Sequence, residues 1–99
     1  MERMITLSSM VVADGQLISR QIGQQVAILV PTSGECFCLN EVGTQIWVLI
    51  QQPRNVSEIR DTILNKYEVE TPECEQDLIS LLQKLLEKGI IGIRNEATI

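Results

Sequence analysis

The chain has 99 residues, enough for one domain to bury its own core without staples. It is acidic, with 13 Asp and Glu against 8 Lys and Arg, no His and a net charge of −5. That balance disfavours nucleic acid and anionic membranes, which are bound by Lys and Arg neutralising phosphates, and no run reaches the roughly 20 apolar residues of a membrane span.

Residues 10–14 read as a first short strand ended by the Asp14-Gly15 turn signal. Residues 17–22 alternate in part and suit a second strand, with a turn at Gly23, Gln24 and Gln25. Residues 26–30 form a continuous aliphatic run, the pattern of a central strand or of one buried on both faces. Pro31, Thr32, Ser33 and Gly34 make a hairpin turn. The strand that follows holds Glu35, Cys36, Phe37, Cys38 and Leu39, with Phe37 and Leu39 on one face and the two cysteines on the other.

Asn40 is placed to N-cap a helix over residues 41–52, because its side-chain oxygen can accept from the first free N–H groups. Val42, Ile46, Leu49 and Ile50 fall on one side of that helix, Trp47 anchors it, and Pro53 stops it. Asn55 or Ser57 caps a second helix running to about Tyr67, with Ile59, Ile63 and Tyr67 forming a four-residue stripe joined by Leu64. Thr71 is expected to cap a third helix over residues 72–88, with Pro72 at its first position and Gly89 as a left-handed stop. Glu73 and Glu75 sit near its positive end, Lys84 and Lys88 near its negative end, all favourable to the helix dipole. Residues 90–93 are apolar and suit a short closing strand or an extended tail. The order implies an α+β fold of the winged helix-turn-helix type, with a small N-terminal antiparallel β-sheet followed by three α-helices, spanning residues 1–99 as one unit.

The third helix carries more apolar surface than one contact requires. At about 100° per residue, Leu78, Leu82 and Leu85 lie centrally, Leu81 widens the face on one side, and Ile79 and Leu86 widen it on the other. The arc spans roughly 160°, against roughly 100° for a simple surface helix. Either the whole arc is core, or part of it lines a groove beside the sheet. An apolar groove beside an open strand edge would hold an extended peptide, the edge supplying main-chain hydrogen bonds and the groove supplying selectivity.

Catalytic chemistry finds no support. Nucleophilic catalysis by Cys or Ser ordinarily needs a base, most often His, and the chain has none. On a strand the Cα atoms of Cys36 and Cys38 lie about 6.6 Å apart, near the upper limit for a disulfide. Zinc would want four ligands, and Cys74 is the one further thiol. The odd cysteine count, with no signal sequence at the start, points to the reducing cytoplasm. No cofactor is implied.

The run Cys38-Leu39-Asn40-Glu41-Val42-Gly43 followed by Ile46-Trp47 resembles the PqqD-like family, the leader-peptide recognition domains of ribosomally made, modified peptides. The resemblance continues through Val56-Ser57-Glu58-Ile59, Tyr67, Asp77-Leu78 and Leu81-Leu82, and ends with Leu85 and Gly89-Ile90-Ile91, covering about residues 26–91. It implies a winged helix-turn-helix that takes a precursor's leader as an added antiparallel strand, between the last sheet strand and the third helix. Carried onto this chain, the leader-binding residues are Glu35, Cys36, Phe37, Cys38 and Leu39 on the strand, with Asp77, Leu78, Leu81, Leu82 and Leu85 on the helix. Asp77 would pair with a basic leader residue. Many relatives carry bulkier or charged residues where this strand has Cys36 and Cys38. The resemblance also implies a processing partner, such as a leader peptidase of the transglutaminase-like type or a radical enzyme with iron–sulfur clusters.

Two other binding readings stand beside this one. A DNA-binding winged helix would need a basic helix, but residues 72–88 hold four acids and two lysines. A homodimer formed through the open strand edge would compete with the leader for it.

Overall fold

The structure is a computed structural model, which describes residues 4–94. It is an α+β fold: β1 (Met10–Ala13), β2 (Ile18–Ile22), β3 (Gln25–Leu29), β4 (Cys36–Leu39), α1 (Glu41–Leu49), β5 (Arg54–Asn55), α2 (Val56–Lys66), α3 (Thr71–Glu87) and β6 (Ile91–Ile93).

The strands form two small antiparallel sheets rather than the one N-terminal sheet expected. One has the order β2-β3-β4 and the other β5-β1-β6. The residues 90–93 thus supply a closing strand, with Val11 opposite Ile93 and Ala13 opposite Ile91. The split has a sequence cause that no local pattern reveals. The pairing of β1 with β6 joins segments some eighty residues apart, a long-range contact set by packing rather than by a turn. In the other sheet β3 is central but buried on one face only: Val26 and Ile28 point inward, while Gln25 and Leu29 are exposed.

The helix boundaries follow from where their free backbone groups go. Asn40 caps α1 by accepting from the Gly43 N–H at 2.9 Å. The helix ends at Leu49, short of the expected 52, because buried Ile50 leaves helical geometry and its carbonyl accepts the Ala13 N–H at 2.8 Å. Asn55 caps α2 in a capping box with Glu58. The N-cap of α3 is Glu70 rather than Thr71, with no side-chain bond; Pro72 lies in the first turn, where no N–H is needed.

The far end of α3 is a Schellman motif. The Ile90 N–H donates to the Leu85 carbonyl at 2.9 Å and the Gly89 N–H to the Leu86 carbonyl at 3.1 Å, with Gly89 at φ +77°. This turn sends the chain back into β6, where Ile90 and Ile91 are buried.

A mainly aliphatic core joins both sheets to the helices, through Val11, Ile28, Ile50, Val56, Ile59, Leu82 and Ile90. Trp47 is buried within it.

Candidate functional site

The main chain of β4 has a fixed parity. The Val30 N–H donates to the Glu35 carbonyl at 2.9 Å, so Val30 and Glu35 face each other as a hydrogen-bonded pair. Antiparallel ladders alternate. Ile28 with Phe37 and Val26 with Leu39 are therefore also hydrogen-bonded pairs, and the intervening Cys36 and Cys38 turn their N–H and C=O groups the other way. That other side is an open edge: among the described residues no strand pairs with it.

Beside the second half of this edge lies a cavity of about 530 Å³, more apolar than polar in its lining. Cys38 and Leu39 form its strand wall, and Val42, Gly43 and Ile46 bring in the start of α1. Ile63 and Tyr67 come from the end of α2; Cys74, Asp77, Leu78 and Leu81 come from α3. Gly43 permits the close approach of α1 to β4, since a Cβ there would stand 3.0 Å from the Leu39 Cβ. A broader depression of about 820 Å³ runs along the outer side of α3 and is lined by α3 alone. It touches no strand edge, so the smaller cavity is the better candidate despite its volume.

The helices around the cavity are tied together by polar contacts. The Tyr67 hydroxyl donates to Glu41 Oε2 at 3.3 Å, linking the end of α2 to the start of α1. Partial burial, and then the Glu41 charge, push the Tyr67 pKa up. Arg60 reaches from α2 to Glu75 of α3 at 2.8 Å and also contacts Asp61 at 3.0 Å. Those two carboxylates, Glu75 first, hold the Arg60 pKa up. Burial raises the Cys74 thiol pKa, helped by the Glu75 and Asp77 charges and opposed by Arg60. Cys36, Cys38 and Cys74 are all free thiols, the first two exposed and the third buried.

The residues singled out in the sequence separate into three groups. Cys38, Leu39, Asp77, Leu78 and Leu81 come together on the cavity wall. Cys36 lies one ladder step along the edge, and Glu35 lies in the turn before β4. Phe37 points inward against the core, with Lys88 Nζ 6.0 Å from its ring centre. Leu82 and Leu85 are buried in the core and do not line the cavity. Sequence reasoning did not place Val42, Gly43, Ile46, Ile63, Tyr67, Val69 or Cys74 at the site. Most of them lie on apolar stripes, and a stripe looks the same whether it meets the core or its rim.

An unpaired strand edge flush with an apolar, helix-walled cavity is the arrangement that recognition by strand addition requires. The chain belongs to the PqqD family: residues 25–91 match the family described as Coenzyme PQQ synthesis protein D (PqqD). Its fold is similar to the solved structure of TbiB1 in complex with the TbiA(beta) leader peptide, at 30% identity and a TM-score of 0.75, over 88% of this chain and 99% of that one. A lasso peptide synthetase B1 complexed with the leader peptide shares the fold at 22% identity and a TM-score of 0.74, over 83% of this chain and 96% of that one. No curated protein matches the chain.

Proposed function

We propose that this chain is a non-catalytic recognition element that binds the leader segment of a ribosomally made precursor peptide and presents it to a processing enzyme. The observation that carries the reading is the open edge of β4 running into the cavity between α1, α2 and α3. The leader joins β4 as an antiparallel strand. Cys36 and Cys38 offer it their main-chain groups, and alternate leader side chains enter the cavity against Leu78 and Leu81. Asp77 at the wall receives a basic leader residue. Leu82 and Leu85 hold the wall from behind, and Phe37 keeps the strand seated on the core.

The layout reads as a winged helix-turn-helix, α2 and α3 being the helical pair. The acidic α3 and the charge-balanced α2 suit a polypeptide rather than a phosphate backbone. The partner is a leader peptidase or a radical enzyme, and the whole chain acts as one binding unit. No helix among the described residues is long and apolar enough to cross a membrane.

The test is a titration of the isotope-labelled chain with leader segments of precursors encoded beside its gene. Amide shifts should concentrate at Cys36, Cys38 and the cavity-lining part of α3. Binding by none of these leaders, or shifts confined to the β5-β1-β6 sheet, would refute the reading.

A further inference from the structure

We infer that the leader is read by the order of its charges as well as by its apolar side chains: Asp77 takes a basic residue, and Lys84 with Lys88 takes an acidic residue about four positions nearer the leader's C-terminus. The inference rests on leader binding as proposed above and adds two residues and a spacing to it. β4 runs from Cys36 at the hairpin end to Leu39 beside the cavity. A guest strand antiparallel to β4 has its N-terminal part at the cavity and its C-terminal part at Cys36. α3 runs in the guest's direction along the same edge. It meets the cavity through Cys74, Asp77 and Leu81, and its C-cap Lys88 ends beside β4, with Nζ 6.0 Å from the Phe37 ring centre.

Asp77, Leu81, Lys84 and Lys88 follow one another at i, i+4, i+7 and i+11, a single stripe about 60° wide. Leu78, Leu82 and Leu85 beside it are buried in the core. On the other flank of α3, Gln83 Oε1 accepts the Ile5 N–H at 3.1 Å, so the start of the chain packs there and not on the stripe. Asp77, Lys84 and Lys88 are exposed, and among the described residues none of them forms a salt bridge. Glu41, held by the Tyr67 hydroxyl at 3.3 Å, adds to the negative end at the cavity. At the positive end, Glu35 is turned back to accept from Ser33 Oγ at 3.4 Å, and Glu87 falls about 90° round the helix from the middle of the stripe. At about 1.5 Å per residue, Asp77 lies about 10.5 Å along the helix from Lys84 and about 16.5 Å from Lys88. The midpoint, about 13.5 Å, equals about four residues of extended chain. Four is an even step, so both charged leader residues belong to the inward-facing set. A leader with the opposite charge order meets like charges at both ends and is rejected.

The experiment is a charge-swap titration. Its probes are the leader peptide of a precursor encoded beside the gene and a series of that peptide with Lys or Glu placed at each position in turn. Lys84→Glu with Lys88→Glu should weaken binding of the parent leader by about fivefold or more. One peptide of the series, with Lys in place of an acidic residue, should recover most of that loss. Asp77→Lys should be rescued instead by Glu in place of a basic residue about four positions nearer the leader's N-terminus. Arg94→Glu changes the net charge as much as either single lysine variant but lies beyond β6, and it should bind the parent leader within about twofold of wild type. Each lysine position is exposed, and the single variants serve if the double one does not fold. Rescue at no position, rescue in the reverse order along the leader, or an equal loss with Arg94→Glu would overturn the charge order while leaving leader binding by the wild-type chain intact. A wild-type chain that binds no leader would remove the underlying reading as well, and its own titration reveals that case.

Discussion

Replacing Cys38 by proline isolates the open edge from the rest of the fold. The parity of β4 directs the Cys38 N–H away from β3, so its loss removes no bond of the internal ladder. Proline is tolerated on an edge strand where its missing N–H faces outward, and it asks of Phe37 only the extended geometry already present. Stability to urea should change by no more than about 1 kcal/mol. Leader binding should suffer more. A guest carbonyl loses its donor and is left unpaired beside an apolar wall, costing about 1–3 kcal/mol, or roughly 5- to 150-fold in Kd. The contrast is Phe37→Pro: its N–H points into the ladder toward Ile28, so this variant should lose several kcal/mol of stability, on the order of 3 or more. Calorimetric titration with a bound leader, together with urea melts of both variants, decides the matter. A folded Cys38→Pro chain that binds leader as tightly as wild type would refute strand addition at this edge. Equal destabilisation by the two prolines would refute the parity.

Leu81→Asp places a charge on the apolar cavity wall and should weaken leader binding by about tenfold or more, whereas fully buried Leu82→Ala should cost about 2–5 kcal/mol of stability; calorimetry and urea melts should separate the two effects. Brief treatment of the native chain with iodoacetamide should modify Cys36 and Cys38 but spare Cys74, whose thiol is buried with a raised pKa, and bound leader should slow the reaction at Cys38; peptide mass mapping reads both outcomes. Gly43→Ala gains about 1 kcal/mol of helix propensity but crowds the Leu39 Cβ at 3.0 Å, and overpacking of about 1–3 kcal/mol should leave it less stable and poorer at binding leader. Tyr67 and Cys74 both hold their protons more tightly folded than unfolded, so their contribution is complete below their ordinary pKa values and is lost as pH rises through the folded ones. Thermal melts should therefore show Tm falling above about pH 9, with a shallower fall in Tyr67→Phe.

Local chemistry made much of this molecule readable before any coordinates. Asn40, the Asn55–Glu58 box and Gly89 announce helix ends because each satisfies backbone groups within a few residues of itself. The inward and outward faces of β4 follow from the alternation of Cys36, Phe37, Cys38 and Leu39. Long-range pairing was less accessible. The distant β1 and β6 come together through packing, and Ile50 leaves α1 early because it answers Ala13 across the fold. The site divides along the same line. Its strand and the α3 positions 77, 78 and 81 were legible from the resemblance and the wide apolar arc. Leu82 and Leu85 share that arc, but rotation of the helix sends them to the core, and nothing in a helical stripe reports that rotation. Val42, Ile46 and Ile63 met the opposite fate, looking like core while also facing the cavity.

The one-sided parity of β4 also limits how much of a guest can be inspected. On the proposed function, a segment lying along Cys36 and Cys38 would be gripped through its amide groups, which every sequence except proline supplies, while alternate side chains would be turned away from the cavity. Only about two side chains per four-residue edge face inward. Precursors that differ at the outward positions should therefore be accepted alike, and a single recognition protein of this kind can serve a population of drifting substrates so long as a sparse, every-second-residue signature persists.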